Sequence, residues 1–320
     1  MADLLQLLSD SSEPAIRFKA RVLLAPQPPP PDEVIGLREA IRTSERVRQL
    51  LAERTPDGSI PLPPYNKWRG SHWVLMILAE LGYPTGDESL IPLREQVLNC
   101  WLSESHFKSV RLLEGRARRC ASQEGNACYA LLSLGLADPR VDTLIERLIK
   151  WQWPDGGWNC DKRPAAHNSS FHESLIPLRA LALYARLTGS TPARQAAERA
   201  AEIFLKRRLF KRQSDGAVIK DAFIRLYYPS YWYYDVLFGL RVLAETGYIR
   251  DPRCAEALDL LESKRTPDGG YSAEGRHYSS APSRRSGRSL VDWGFVSARA
   301  MNPFVTVDAL SVLKQAGRWP

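Results

Sequence analysis

The chain contains no apolar run approaching the eighteen or so residues that span a bilayer, which excludes a transmembrane segment on sequence pattern. Its opening residues, MADLLQLLSD, lack the basic start and apolar stretch of a secretion signal, so a cytoplasmic location is expected. Cysteine is sparse. The five residues, Cys100, Cys120, Cys128, Cys160 and Cys254, are odd in number with no CxxC spacing, which argues for free thiols over a disulfide framework. No glycine-rich phosphate loop, serine elbow or nucleic-acid motif occurs. Acids are outnumbered, giving a net charge of +8. Much of the excess lies in RLLEGRARRC, ending at Cys120, and in the Ser/Arg-rich stretch 276–288, which reads as a solvated loop, so no nucleic-acid partner is expected.

What is present is a repeated turn: TPDGS at 55–59, WPDGGW at 153–158, SDGA at 214–217 and TPDGGY at 266–271. Each follows a charged, helix-favouring stretch and precedes an apolar one, so Pro-Asp-Gly links an outer helix to an inner helix. The first gap is about twice the others, which places a turn without its signature near Glu104 to Gly115. Periodicity and turn signals predict outer helices near 2–9, 33–53, 89–103, 138–152, 193–210 and 252–265. Inner helices are predicted near 14–24, 69–82, 124–136, 170–188, 231–247 and 304–317. Outer helices carry a charged face. Inner ones such as SHWVLMILAELG are apolar nearly all round and must be buried on every side, which a closed ring provides and an open array does not. The expectation is an all-α fold, an (α/α)6 toroid formed as one domain over 1–320, with 1–52 completing a ring of repeats at 53–320.

Gln152-Trp153-Pro154-Asp155-Gly156-Gly157-Trp158 fits the Q-x3-G-x-W core of the QW repeat and resembles the squalene and triterpene cyclase superfamily. Other turns keep part of it, with Arg54, Arg212 and Arg265 at the Gln position and Tyr271 at one Trp position. The whole chain, through WPDGGWNCD, SSFHES and the Trp-Tyr-Tyr-Asp at 232–235, resembles a bacterial prenyltransferase-like or terpene-cyclase-like group with no settled activity. The resemblance implies a toroid with a central cavity for an apolar, isoprenoid ligand.

Two inner segments align, Glu173 to Ala182 on Asp235 to Ala244, and both begin with an acid. Capping accounts for either acid alone. In a ring, however, inner-helix starts converge on one mouth, where His72, Glu124, Asn126, His172, Glu173, Tyr234 and Asp235 are expected to meet. His172, Glu173 and Asp235 are the expected catalytic groups, with protonated His172 as a possible donor. Expected ligand contacts are His72, Trp73, Glu124, Asn126, Trp158, Tyr228, Trp232 and Tyr234, because the aromatic run 227–234 is too dense to be packing alone. The cyclase DxDD motif is matched only by Ser170-Phe171-His172-Glu173, so ordinary acid-initiated cyclisation is not expected. Cys160, Asp161, His167, His172 and Cys120 offer zinc-type donors. They lack the prenyltransferase spacing, so no metal and no cofactor is expected. His106 and His277 read as ordinary loop residues. Arg116, Arg118, Arg119, Lys162 and Arg163 read as surface charges, with diphosphate recognition as the alternative. Two other functions fit the same residues: a carbohydrate-active toroid using Glu173 and Asp235 as acid and base, or a non-catalytic binding module whose ring centre is filled with side chains.

Overall fold

The computed structural model describes residues 2–281 and 286–319; positions 282–285 of the basic stretch lie outside the described residues. Outer and inner helices alternate along it. The outer set is α1 (Ala2–Ser9), α3 (Pro31–Arg42) with α4 (Glu45–Leu51), α6 (Ile91–Leu102), α9 (Arg140–Lys150), α11 (Thr191–Leu205) and α13 (Ala255–Ser263). The inner set is α2 (Pro14–Lys19, continued by a π turn at Ala20–Leu24), α5 (Ser71–Leu81), α8 (Ala121–Ser133), α10 (Phe171–Thr188), α12 (Val236–Glu245) and α14 (Pro303–Gln315). A short α7 (Glu104–Lys108) and a hairpin of β1 (Arg111–Leu113) and β2 (Arg116–Arg118) occupy the place where the turn signature is missing.

Burial follows the sequence pattern. On α9, Val141, Leu144, Ile145 and Leu148 form one buried stripe, whereas on α5 every residue from Ser71 to Leu78 is buried. Inner helices pack in sequence order, α5 on α8, α8 on α10, α10 on α12 and α12 on α14, and α14 returns to α2 and its π turn. The α8–α10 contact is close because Gly125 has no side chain: a Cβ there would stand 2.9 Å from the nitrogen of Pro177. The structure is therefore an all-α toroid with its core between the two helix layers.

The expected single helix at 33–53 is two, because Ser44 starts a new one by accepting from the Val47 amide at 3.3 Å. Inner helix α12 starts at Val236 instead of 231, because Tyr227 to Tyr234 take irregular backbone. At the turns, the QW logic is structural. Gln152 Nε2 donates to Gly156 O (2.7 Å) and Ala196 O (2.8 Å), and fully buried Trp158 donates to Leu148 O at 2.9 Å.

Candidate functional site

Between α5 and α12 the ring is filled. Tyr228, Pro229, Ser230 and Tyr231 enter it from the segment before α12 and pack on Met76, Ile77, Glu80, Phe238 and Arg241. The space left among them is about 10 Å³, no more than one water needs. Tyr231 stacks on Trp68, with centroids 3.8 Å apart and planes 9° apart, and Tyr228 stacks on Phe304 at 4.5 Å. Of the aromatics expected to line a central cavity, Tyr228, Tyr231 and Tyr234 are buried in packing, and the space that inner helices do enclose, about 230 Å³, lies toward their finishing end among Lys19, Glu80, Tyr129, Arg179, Arg241 and Asp308.

At the end where the inner helices finish, the axis is crossed by buried ion pairs. Arg241 meets Glu80 (2.9 Å) and Asp308 (2.8 Å), Lys19 meets Asp308 (2.9 Å), and Arg179 pairs with Glu80 and Glu245. Arg179 also lies 3.6 Å over the ring of Tyr129. Burial pushes the Glu80 carboxyl up, but Arg179, Arg241 and Lys19 outweigh it and hold the group down at about 2. This network ties five of the six inner helices together through charged groups, with Tyr129 adding α8.

At the opposite end, where inner helices start, the expected residues fall into separate clusters. Asp235 is the N-cap of α12. Its Oδ1 accepts from the Phe238 amide at 2.9 Å, and burial raises its pKa to about 7. Glu173 accepts from the Ser122 amide (3.0 Å) and lies 3.7 Å from Cys160 Sγ, with its carboxyl also raised by burial. No hydrogen bond joins Glu173 and Asp235 among the described residues; each carboxylate has its own partners. His172 Nδ1 accepts from the Tyr234 amide at 2.8 Å. Burial, aided by Lys220, lowers its pKa to about 4. At neutral pH it is therefore an uncharged ring protonated on Nε2, and its expected role as a cationic proton donor is corrected.

His72 is a core residue. Its Nδ1 accepts from Trp101 Nε1 at 3.1 Å, and burial lowers its pKa to about 3. Trp73, Trp158 and Tyr234 are likewise packed, Tyr234 between Phe171 and Phe204 with its hydroxyl on Leu209 O at 2.6 Å. Glu124 contacts His106 (3.0 Å) and Arg119 (3.4 Å), and burial raises its carboxyl to about 7. Buried Asn126 leaves its Nδ2 without a partner. Trp232 alone among the expected contacts stays half-buried, edge-on to His172 at 5.4 Å. His106 and His277 are less ordinary than the sequence reading held. His277 is sandwiched by Tyr227 (4.2 Å) and Tyr233 (3.9 Å).

The open space is beside the ring mouth. A pocket of about 460 Å³ is floored by Phe171, His172, Ile219 and Phe223 and rimmed by Arg207, Arg212 and Lys220, with no acid in its lining. Arg212 is paired with Asp215 at 2.9 Å, whereas Arg207 and Lys220 have no carboxylate partner among the described residues. The sequence reading missed these cations. The signal for Arg207 and Arg212 was KRRLFKRQ at 206–213, a charge run placed just before a repeat turn; Lys220 follows that turn.

No protein-family model and no curated protein matches the chain. Among solved structures it is similar to a protein from Actinoplanes, at 18% identity and a TM-score of 0.44, with 99% of each chain covered. It is also similar to type II terpene cyclase MstE from Scytonema in complex with geranylgeranyl dihydroxybenzoate, at 16% identity and a TM-score of 0.32, and in complex with merosterolic acid A, at 17% and 0.32. Each of these two comparisons covers 99% of both chains.

Proposed function

We propose that this toroid binds an isoprenoid-type anion, an apolar chain bearing a diphosphate or similar headgroup, in the lateral pocket at His172 and not on the ring axis. The observation that carries the reading is the division of the pocket lining. Phe171, Ile219 and Phe223 supply an apolar floor, and Arg207, Arg212 and Lys220 supply positive charge at its rim. A volume of about 460 Å³ suits a drug-sized ligand. Charged headgroups draw charge-assisted hydrogen bonds from guanidinium and ammonium groups, and the chain gains by leaving water. Neutral His172 offers an Nε2–H donor here, not an acid strong enough to protonate an alkene. The reading is therefore of binding, with any chemistry beginning at the diphosphate end.

Titration calorimetry with farnesyl diphosphate, farnesol and inorganic diphosphate tests it. Farnesyl diphosphate should bind more tightly than either fragment, weaken with added salt, and lose roughly tenfold in affinity in Lys220→Ala, as expected for a charge-assisted hydrogen bond of about 1.5–3 kcal/mol. Equal binding of farnesol and farnesyl diphosphate, or an unchanged Lys220→Ala and Arg207→Ala, would remove the reading.

A further inference from the structure

We infer that Cys120, Cys160 and Glu173 form a binding site for a single thiophilic divalent cation of the zinc class. Donor atoms of these three residues all lie within 4.8 Å of one another. Around a zinc ion with bonds of roughly 2.0–2.3 Å, tetrahedral donors stand roughly 3.3–3.8 Å apart. The Cys160 Sγ to Glu173 Oε1 distance, 3.7 Å, already falls in that range. Two thiolates and a carboxylate are a borderline-soft set that suits zinc and would leave a fourth position open.

The donors come from three segments held by independent contacts. Backbone pairing of Arg118 with Asn159, and the Arg119 amide donating to Asn159 O at 3.1 Å, lay two strands of chain side by side, so that Cys120 and Cys160 follow as neighbours. Cys120 is the residue before the first turn of α8. Glu173 stands in the first turn of α10. Its Oε2 is fixed by the Ser122 amide at 3.0 Å, which leaves Oε1 for the thiols, the arrangement in which an outer contact orients a metal ligand. Two thiolates and one carboxylate would exceed the charge of a divalent ion by one. Buried Arg119, next to Cys120 in the chain, brings a positive charge beside the cluster, although it also pairs with Glu124 at 3.4 Å. The prenyltransferase spacing was the reason to expect no metal from the sequence. This set does not use that spacing, because the proximity arises from the pairing of 118 with 159.

Neither His167, which is exposed, nor His172, whose Nδ1 is engaged by Tyr234, belongs to the cluster. The site is separate from the lateral pocket and does not depend on what that pocket binds.

The test uses the full chain purified under a non-chelating phosphine reductant, loaded with cobalt(II) or zinc(II) and gel-filtered. Retention of one ion per chain is expected, with thiolate-to-cobalt charge-transfer absorption and protection of Cys120 and Cys160, but not Cys100, from alkylation. Cys120→Ser and Cys160→Ser should each weaken binding by roughly a hundredfold or more, beyond the ten- to hundredfold cost of losing a supporting group. Cys100→Ser should bind normally. The cobalt spectrum and the alkylation pattern are read on the wild-type chain, so a variant that fails to fold does not decide the matter. No retained ion, a cobalt spectrum without thiolate bands, undiminished binding in both serine variants, or a Cys120–Cys160 disulfide persisting under reductant would each overturn the assignment.

Discussion

Tyr231 lies flat on Trp68, 3.8 Å from ring to ring, and so joins the approaches to two inner helices. Trp68 precedes inner helix α5 and Tyr231 precedes α12, so the stack spans the mouth between two non-adjacent inner helices.

Tyr231→Ala should therefore act as a cavity-forming substitution in a closely packed region of the ring. A loss of about 3–4 kcal/mol in urea unfolding is expected, together with new binding of an apolar fluorescent probe. A variant as stable as wild type would mean that the loop is not a packing element.

Asp235 bears on pH. Its folded pKa, raised by burial to about 7, exceeds the unfolded value of about 3.9. Between those values the native state holds a proton that the unfolded chain has released, so stability falls as pH rises across this window. Asp235→Asn keeps a good N-cap and removes the titration. Unfolding midpoints at pH 5 and pH 7 should converge in the variant, flattening the profile by roughly 1 kcal/mol per pH unit. A wild-type-like slope would show that another group sets it.

Glu80 has the opposite sign. Held down at about 2 by its cations, it contributes stability above the unfolded carboxylate range of about 4.3 that is lost as pH falls toward 2. Glu80→Gln leaves Arg179 and Arg241 short of a counter-charge and should cost about 3–5 kcal/mol at pH 7. Its deficit relative to wild type should shrink on acidification.

Removing residues 1–30 takes away α2, and with it the contacts of α14 and the Lys19–Asp308 pair. The truncated chain should expose inner-helix surface and aggregate in light scattering. A monodisperse, equally stable product would argue against the ring needing its first pair.

The alternation of charged and wholly apolar helices was legible because burial on one face or all faces writes itself into periodicity, as α9 and α5 illustrate. The Gln152 and Trp158 turn was legible because the bonds to Gly156 O and Leu148 O that fix it lie within ten residues. The start of α12 was misplaced because the Tyr and Trp residues before it have a composition that suits a buried helix as well as a plug. Nothing near Glu173 or Asp235 in sequence distinguishes a helix cap from a reactive acid: Asp235 caps its own helix through the Phe238 amide, whereas the partner of Glu173, the Ser122 amide, lies 51 residues away in the chain. Cys120 and Cys160 were seen as zinc-type donors, but their meeting at Glu173 depends on the long-range pairing of Arg118 with Asn159. The lateral pocket went unseen because it forms between α10 and the turn following α11.

The seam between α2 and α14 has a consequence in time. Most inner helices find their neighbour one repeat later in the chain, but Lys19 waits for Asp308, 289 residues on. At roughly 5–20 residues per second of synthesis, the first inner helix spends on the order of 15–60 s without its final partner. During translation the growing protein is thus an open arc with one unsealed edge, and only the emergence of α14 turns it into a ring.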